Sequence, residues 1–232
     1  MKIEELTVQA KKIGIEITPD MCDALTIYME LLIERNREFN LTAITDPEEI
    51  TEKHFYDSLY PLSVTEFRGR VEDVGSGAGF PGIVLALVRK DLDVILIEPT
   101  GKRCRFLAEV KDRLQLHNVT VVNQRAEEYV REHREQADIV TARAVAALPV
   151  LAELCVPLLK PGGTFVSMKG SKGYEELKEA AHALQILGCA PGQIHEYELP
   201  SGDKRTIITT GKEHITPGKY PRNYGQIRKR PL

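Results

Sequence analysis

Apolar residues recur along this chain with two different rhythms, and the change between them falls near Arg70. From 20 to 39, Met21, Leu25, Tyr28, Leu32 and Phe39 keep close to a 3.6-residue period, which predicts a helix with one buried face. Thr18-Pro19 ahead of it offers a capping hydroxyl and a first-turn proline. Asp46-Pro47-Glu48-Glu49 is a second helix start, leading through His54, Asp57 and Leu59 to a stop near Pro61. Beyond Arg70, short apolar runs at 71–74, 94–97, 119–122, 138–141 and 164–168 predict strands. Helical stretches follow them at about 81–89, 102–114, 126–132, 148–158 and 175–187. A Lys160-Pro161-Gly162-Gly163 turn leads into the fifth strand. Ser201-Gly202-Asp203-Lys204 joins two last strands, 194–199 and 206–210, as a hairpin.

Strand–helix units in series, closed by a hairpin, predict an α/β fold whose mostly parallel sheet has an antiparallel edge. Right-handed crossovers would put helices on both faces. Three regions follow: a helical N-terminal appendage at 1–66, the α/β core at 67–211, and a tail at 212–232 associated with that core. Charge sharpens the division. The net charge of −3 conceals 14 acidic against 6 basic side chains in the appendage, an even balance in the core, and 6 basic against 1 acidic in the tail. An acidic whole with a basic end does not advertise general nucleic-acid binding, but the tail could grip phosphate locally. No run approaches the length of a membrane span and no leader pattern opens the chain, so a cytoplasmic protein is expected. Cys22, Cys104, Cys155 and Cys189 lack paired spacing and read as reduced, mostly buried thiols, not a zinc site.

Chemistry concentrates where the first strand ends. In Val71-Glu72-Asp73-Val74-Gly75-Ser76-Gly77-Ala78-Gly79-Phe80-Pro81-Gly82, three alternating glycines permit a tight turn and close approach of a ligand to the backbone. The spacing GxGxG differs from the GxGxxG of dinucleotide sites, and the lysine of a phosphate-binding loop is missing. Glu98, at the end of the second strand, is placed to accept from ribose hydroxyls. Asp73 could hold the loop or a cofactor's ammonium. A cationic, amino-acid-bearing nucleoside suits this acidic rim, and S-adenosylmethionine is one; a nicotinamide cofactor and a plain glycine turn are the alternatives.

These residues, with Leu96-Ile97-Glu98-Pro99-Thr100-Gly101-Lys102-Arg103-Cys104, Asn123-Gln124-Arg125-Ala126-Glu127-Glu128, Thr141-Ala142-Arg143-Ala144-Val145-Ala146 and Ser167-Met168-Lys169-Gly170, resemble the RsmG (GidB) family of 16S ribosomal RNA methyltransferases. Arg37-Glu38-Phe39-Asn40-Leu41-Thr42 and His54-Phe55-Tyr56-Asp57-Ser58-Leu59 resemble it too, so the likeness runs from about Met21 to Leu232. It implies a seven-stranded class I methyltransferase fold, S-adenosylmethionine as donor, and N7-methylguanosine in 16S ribosomal RNA as product. The RNA would be met in the small ribosomal subunit or an assembly intermediate, by a monomer that needs no metal. By position, Asp73, Gly75, Ser76, Gly77, Gly79, Phe80, Glu98, Ala126, Glu127 and Arg143 would hold the cofactor. Arg143 and Lys169 match the basic catalytic positions. Glu98 and Ala78 depart mildly from the family's usual Asp and Pro.

Outside that set, Asn40, His54, Arg103 and Arg222 are expected at the RNA. His54 and Asp57 either close the active site or serve the fold, Asn40 either caps a helix or touches substrate, and Arg103 either reaches phosphate or is solvated. Tyr220 and Tyr224 alternate with Lys219, Arg222, Arg228, Lys229 and Arg230, as stacking and phosphate-gripping residues do. The rival functions are methylation of another RNA base or of a small molecule, and RNA binding without catalysis.

Overall fold

The computed structural model describes all residues from Met1 to Leu232. Helix α1 (Ile3–Lys12), which no strong pattern set apart, precedes α2 (Pro19–Phe39). Thr18 Oγ1 accepts from the Met21 N–H, and α2 ends at Asn40, whose left-handed φ of 50° turns the chain away. Asp46 caps α3 (Pro47–Ile50) by accepting from the Glu49 N–H. The chain then winds through a π-helical segment, Thr51–Tyr56, into α4 (Asp57–Leu59) and α5 (Pro61–Val64).

The core alternates β1 (Arg70–Val74), α6 (Gly82–Val88), β2 (Asp93–Ile97), α7 (Gly101–Arg113), β3 (Val119–Val122), α8 (Ala126–His133), β4 (Ala137–Arg143), α9 (Leu148–Cys155), β5 (Leu159–Lys169) and α10 (Gly173–Ile186). The hairpin β6 (Gln193–Glu198) and β7 (Lys204–Gly211) follows, then α11 (Tyr224–Lys229). Seven strands form one sheet in the order β3-β2-β1-β4-β5-β7-β6. The first five run parallel, and β7 is antiparallel to both of its neighbours. Chain direction across the sheet reverses between β1 and β4, and open sheets bind ligands in the crevice at the carboxyl ends of such strands.

Alternation along β2 shows how the sheet is clad. Val94 and Leu96 point into one apolar cluster with α2, α6 and α7, while Ile95 and Ile97 point into a second with α8, α9 and α10. The appendage is part of the first cluster: Leu25, Tyr28 and Leu32 are fully buried beside Ile83, Val84 and Phe106. Residues beyond 211 join the second through Tyr220 and Ile227.

Two expected boundaries move. The Lys160–Gly163 stretch is not a free turn but lies within β5; Leu159 stands opposite Ala137 and Thr164 opposite Ile139, so the prolyl-glycyl residues bulge from a continuous strand. Helix α9 stops at Cys155, because Pro157 cannot donate to a further turn, and a 3-10 turn, Val156–Leu158, replaces its expected end.

Candidate active site

The glycine loop after β1 is held from three sides. Gly75, Gly77 and Gly79 all take positive φ, at 70°, 60° and 100°, which side chains rarely adopt. From β2, the Ile97 carbonyl accepts the Gly75 N–H at 2.8 Å, and Glu98 Oε2 accepts the Gly77 N–H at 3.0 Å. From the appendage, Tyr28 donates its hydroxyl to the Ala78 carbonyl. Beneath the loop, the fully buried Asp73 accepts the Gly82 N–H at 3.1 Å through Oδ2, and Ser76 Oγ donates to the Asp73 carbonyl at 2.8 Å.

A cavity of about 270 Å³ opens against this loop, lined among others by Gly75, Glu98, Ala126, Glu127, Val145 and Tyr224. Its size is that of a nucleoside. Glu98 Oε1 accepts the Thr100 N–H at 2.8 Å, so each carboxylate oxygen has one backbone partner and retains acceptor capacity for a hydroxyl. Asp73 Oδ1 is buried without any partner, and burial pushes that carboxyl up to about 7 against the pull of the Gly82 N–H. An ammonium group is the ligand that such an orphaned carboxyl oxygen suits best. The acidic groups and the glycine cradle therefore fit S-adenosylmethionine. A Cβ at Gly75 would fall 2.6 Å from Val145 Cγ2, so that cradle tolerates no side chain.

A second cavity, of about 660 Å³, lies on the other side of the turn after β4. Arg143 ends β4 here and is nearly enclosed. Its Nη1 donates to Asp57 Oδ2 and to the Lys53 carbonyl, both at 3.0 Å, its Nη2 meets His54 Nδ1 at 3.2 Å, and its guanidinium lies 5.1 Å over the Phe80 ring. Asp57 also accepts from the Tyr197 hydroxyl at 2.7 Å, and Tyr197 stacks on Tyr60. His54 Nδ1 lies 3.2 Å from both Arg143 Nη2 and the Lys53 carbonyl, and Nε2 reaches Thr42 Oγ1 at 2.9 Å. Burial and the Arg143 charge push His54 down to about 3, so the ring is neutral. Lys169, at the end of β5, donates to the Ala146 carbonyl at 2.7 Å and pairs with Glu176 at 2.8 Å. Ala144 holds a left-handed φ of 56° without being glycine, and it lines both cavities together with Val145.

Several expected residues lie outside the cavity assigned to them, and Asp73, Ser76, Gly77 and Gly79 stand in or under the glycine loop and line neither cavity. Phe80 does not face the smaller cavity with its side chain; it is buried against His54 and Tyr28 because the adjacent appendage offers an aromatic surface. Arg143 lines the larger cavity rather than the smaller one. Asn40 lines neither, its left-handed backbone serving to end α2. Arg103 stands at the smaller cavity, 3.8 Å from Glu98, not at the larger one. The Arg222 guanidinium is taken by the buried Glu153. Sequence reasoning missed Tyr197 and Arg205, which the hairpin brings to the larger cavity, and Tyr224 and Arg125 at the smaller. Tyr224 had been singled out only for RNA; its place beside the cofactor loop left no local signal.

A seven-stranded sheet of this order, with a glycine loop after β1 and a carboxylate just past β2, defines the class I methyltransferase fold. Solved structures share it: an O-methyltransferase dependent on S-adenosylmethionine from Thermotoga maritima (TM-score 0.55, 18% identity, 80% of this chain and 72% of that one) and M. jannaschii TYW2 in complex with AdoMet (0.54, 20%, 66% and 72%). The chain belongs to the GidB family, whose model, described as rRNA small subunit methyltransferase G, matches residues 21–207. Curated relatives named Ribosomal RNA small subunit methyltransferase G are 44% identical in Staphylococcus epidermidis and 43% in Staphylococcus aureus, each across 100% of this chain and 99% of the relative.

Proposed function

We propose that this protein transfers the methyl group of S-adenosylmethionine to N7 of one guanine in 16S ribosomal RNA. One observation carries the reading: in a member of this family, a nucleoside-sized cavity at the glycine loop and a larger cavity edged by Lys53, Arg143, Lys169 and Arg205 meet at Ala144 and Val145. Asp73, Gly75, Glu98, Ala126 and Glu127 would hold the cofactor. When bound, it supplies a methyl group on a sulfonium centre, open to direct displacement.

Guanine N7 offers an in-plane lone pair and carries no proton, so the chain need supply no general base. That agrees with His54, which is neutral but whose Nδ1 is already engaged by Arg143. Alignment is then the main work. Asp57, His54 and the Lys53 carbonyl fix one edge of the Arg143 guanidinium. Its remaining N–H groups orient guanine through O6 or a backbone phosphate, because a donor on N7 would block the attack. Lys169 lines the same cavity, its ammonium shared with Glu176 at 2.8 Å. On this reading the protein works in the cytoplasm as a monomer, without a metal, on RNA presented by the small subunit or its assembly intermediate.

Nucleoside mass analysis tests this. Small-subunit RNA from a strain lacking the modification, naked or in subunits, is incubated with the protein and isotope-labelled S-adenosylmethionine. Labelled N7-methylguanosine, lost with Arg143→Ala, is the expected result. A different labelled nucleoside would overturn the target atom, and no label in either RNA form would overturn the RNA substrate.

A further inference from the structure

The basic C-terminal segment, which its composition assigns to RNA, is tied down along its length. Lys212 is buried and donates to Glu135 Oε1 at 2.8 Å and to the Val156 and Leu159 carbonyls. Arg134 spans the next stretch, donating to the Thr216 and Tyr220 carbonyls at 2.7 Å each. The firmest tie is Glu153 of α9, whose side chain is wholly buried. Its Oε1 accepts the Arg222 backbone N–H at 2.9 Å and the Arg222 Nε at 2.8 Å, and its Oε2 accepts Nη2. One residue further along α9, Leu154 lines the smaller cavity. One residue beyond Arg222, Asn223 caps α11 by accepting the Gln226 N–H, and Ile227 seats that helix in the core. Tyr224, at the start of α11, is thereby delivered to the same cavity, with the Arg125 guanidinium 5.8 Å from its ring.

We propose that Tyr224 is a cofactor-binding residue, its ring forming the aromatic wall of the nucleoside cavity, held there by the Glu153–Arg222 pair. The claim rests on the methyl-donor reading above and adds a residue to it. Ile97, Ala126 and Leu154 give that cavity apolar sides, and a flat aromatic ring beside them is the surface on which a purine stacks. Arg125 on the ring limits its rotation and adds positive charge at the mouth. The segment is therefore part of the cofactor site before any RNA arrives.

Calorimetric titration of the full-length chain with S-adenosylhomocysteine, and then with S-adenosylmethionine, decides the matter without RNA or turnover. Tyr224→Ala should weaken binding about tenfold, within the range of one lost stacking contact, while Tyr224→Phe binds as the wild type does. Tyr224→Leu keeps apolar packing without a flat ring and should also weaken binding, so a poorly folded alanine variant does not end the test. Arg222→Ala should weaken binding too, and the Arg222→Ala/Tyr224→Ala double variant should be no weaker than Tyr224→Ala alone. Undiminished binding by folded Tyr224→Ala and Tyr224→Leu overturns the proposal and leaves the methyl-donor reading intact. A wild type that binds neither nucleoside overturns both.

Discussion

Arg143 depends on residues far from it in the chain. Asp57, 86 positions away, accepts from Arg143 and from Tyr197 at once, so one carboxylate joins the appendage, the core and the hairpin at the larger cavity. Asp57→Asn keeps the shape but removes the charge that fixes the guanidinium. Methylation is expected to fall about a hundredfold, as small misplacements at a reacting centre do, with cofactor affinity unchanged; single-turnover rates and calorimetry separate the two. The neighbouring His54 gives a pH signature. Its folded value of about 3 lies below the ordinary 6.5, so the unfolded chain binds more protons between these limits and stability drops as pH falls through that window. Melting temperatures at about pH 5 and about pH 7.5 should show wild type losing ground to His54→Asn at the lower pH. Arg143 was legible in the sequence, because an arginine closing a strand of an α/β core needs a purpose. Its partners were not, since nothing local announces which carboxylate will face it.

The glycine loop was legible as an element because its spacing follows directly from backbone geometry; what stabilises it was not. Gly79 has φ 100°, and a Cβ there would fall 2.6 Å from both Ile83 Cγ1 and the Tyr28 hydroxyl oxygen. Gly79→Ala therefore strains the turn and pushes at α2 and α6 together. Denaturant unfolding should register a loss of about 1–3 kcal/mol, and cofactor affinity should fall with it. The C-terminal segment shows the opposite balance. Its alternation of tyrosine with basic residues pointed to RNA, yet Arg222 is bound to a glutamate hidden inside α9. A glutamate within an otherwise apolar run, Leu148-Pro149-Val150-Leu151-Ala152-Glu153-Leu154-Cys155, was the available clue, because a buried carboxylate must find a cation. The alternation of strands with helices and the closing hairpin followed from periodicity and turn chemistry. The bulged Lys160–Gly163 stretch did not, because a Pro-Gly-Gly run reads as a turn whether or not neighbouring strands hold it in register.

At the scale of the whole molecule, the first 66 residues supply more than an appendage. They bury one face of the sheet, support the glycine loop through Tyr28 and fix Arg143 through Asp57 and His54. A chain lacking residues 1–66 should collect in the insoluble fraction or lack a cooperative thermal transition, since Ile83, Val84 and Phe106 would face water. The charge asymmetry is partly resolved at the same scale: Asp57 of the acidic appendage meets Arg143 and Arg205 of the core, while Arg35 of α2 pairs in the other direction with Glu109 of α7. Finally, Ala144 and Val145 form a wall common to two ligands. Val145 packs on Gly75 on one side and borders the base cavity on the other, so displacing it for one ligand reshapes the room for the second. Thermodynamic reciprocity then makes each ligand a gauge of the other: the factor by which S-adenosylhomocysteine changes RNA affinity must equal the factor by which RNA changes its own. Two titrations run in opposite order should return one number, and Val145→Ala should move that number toward one.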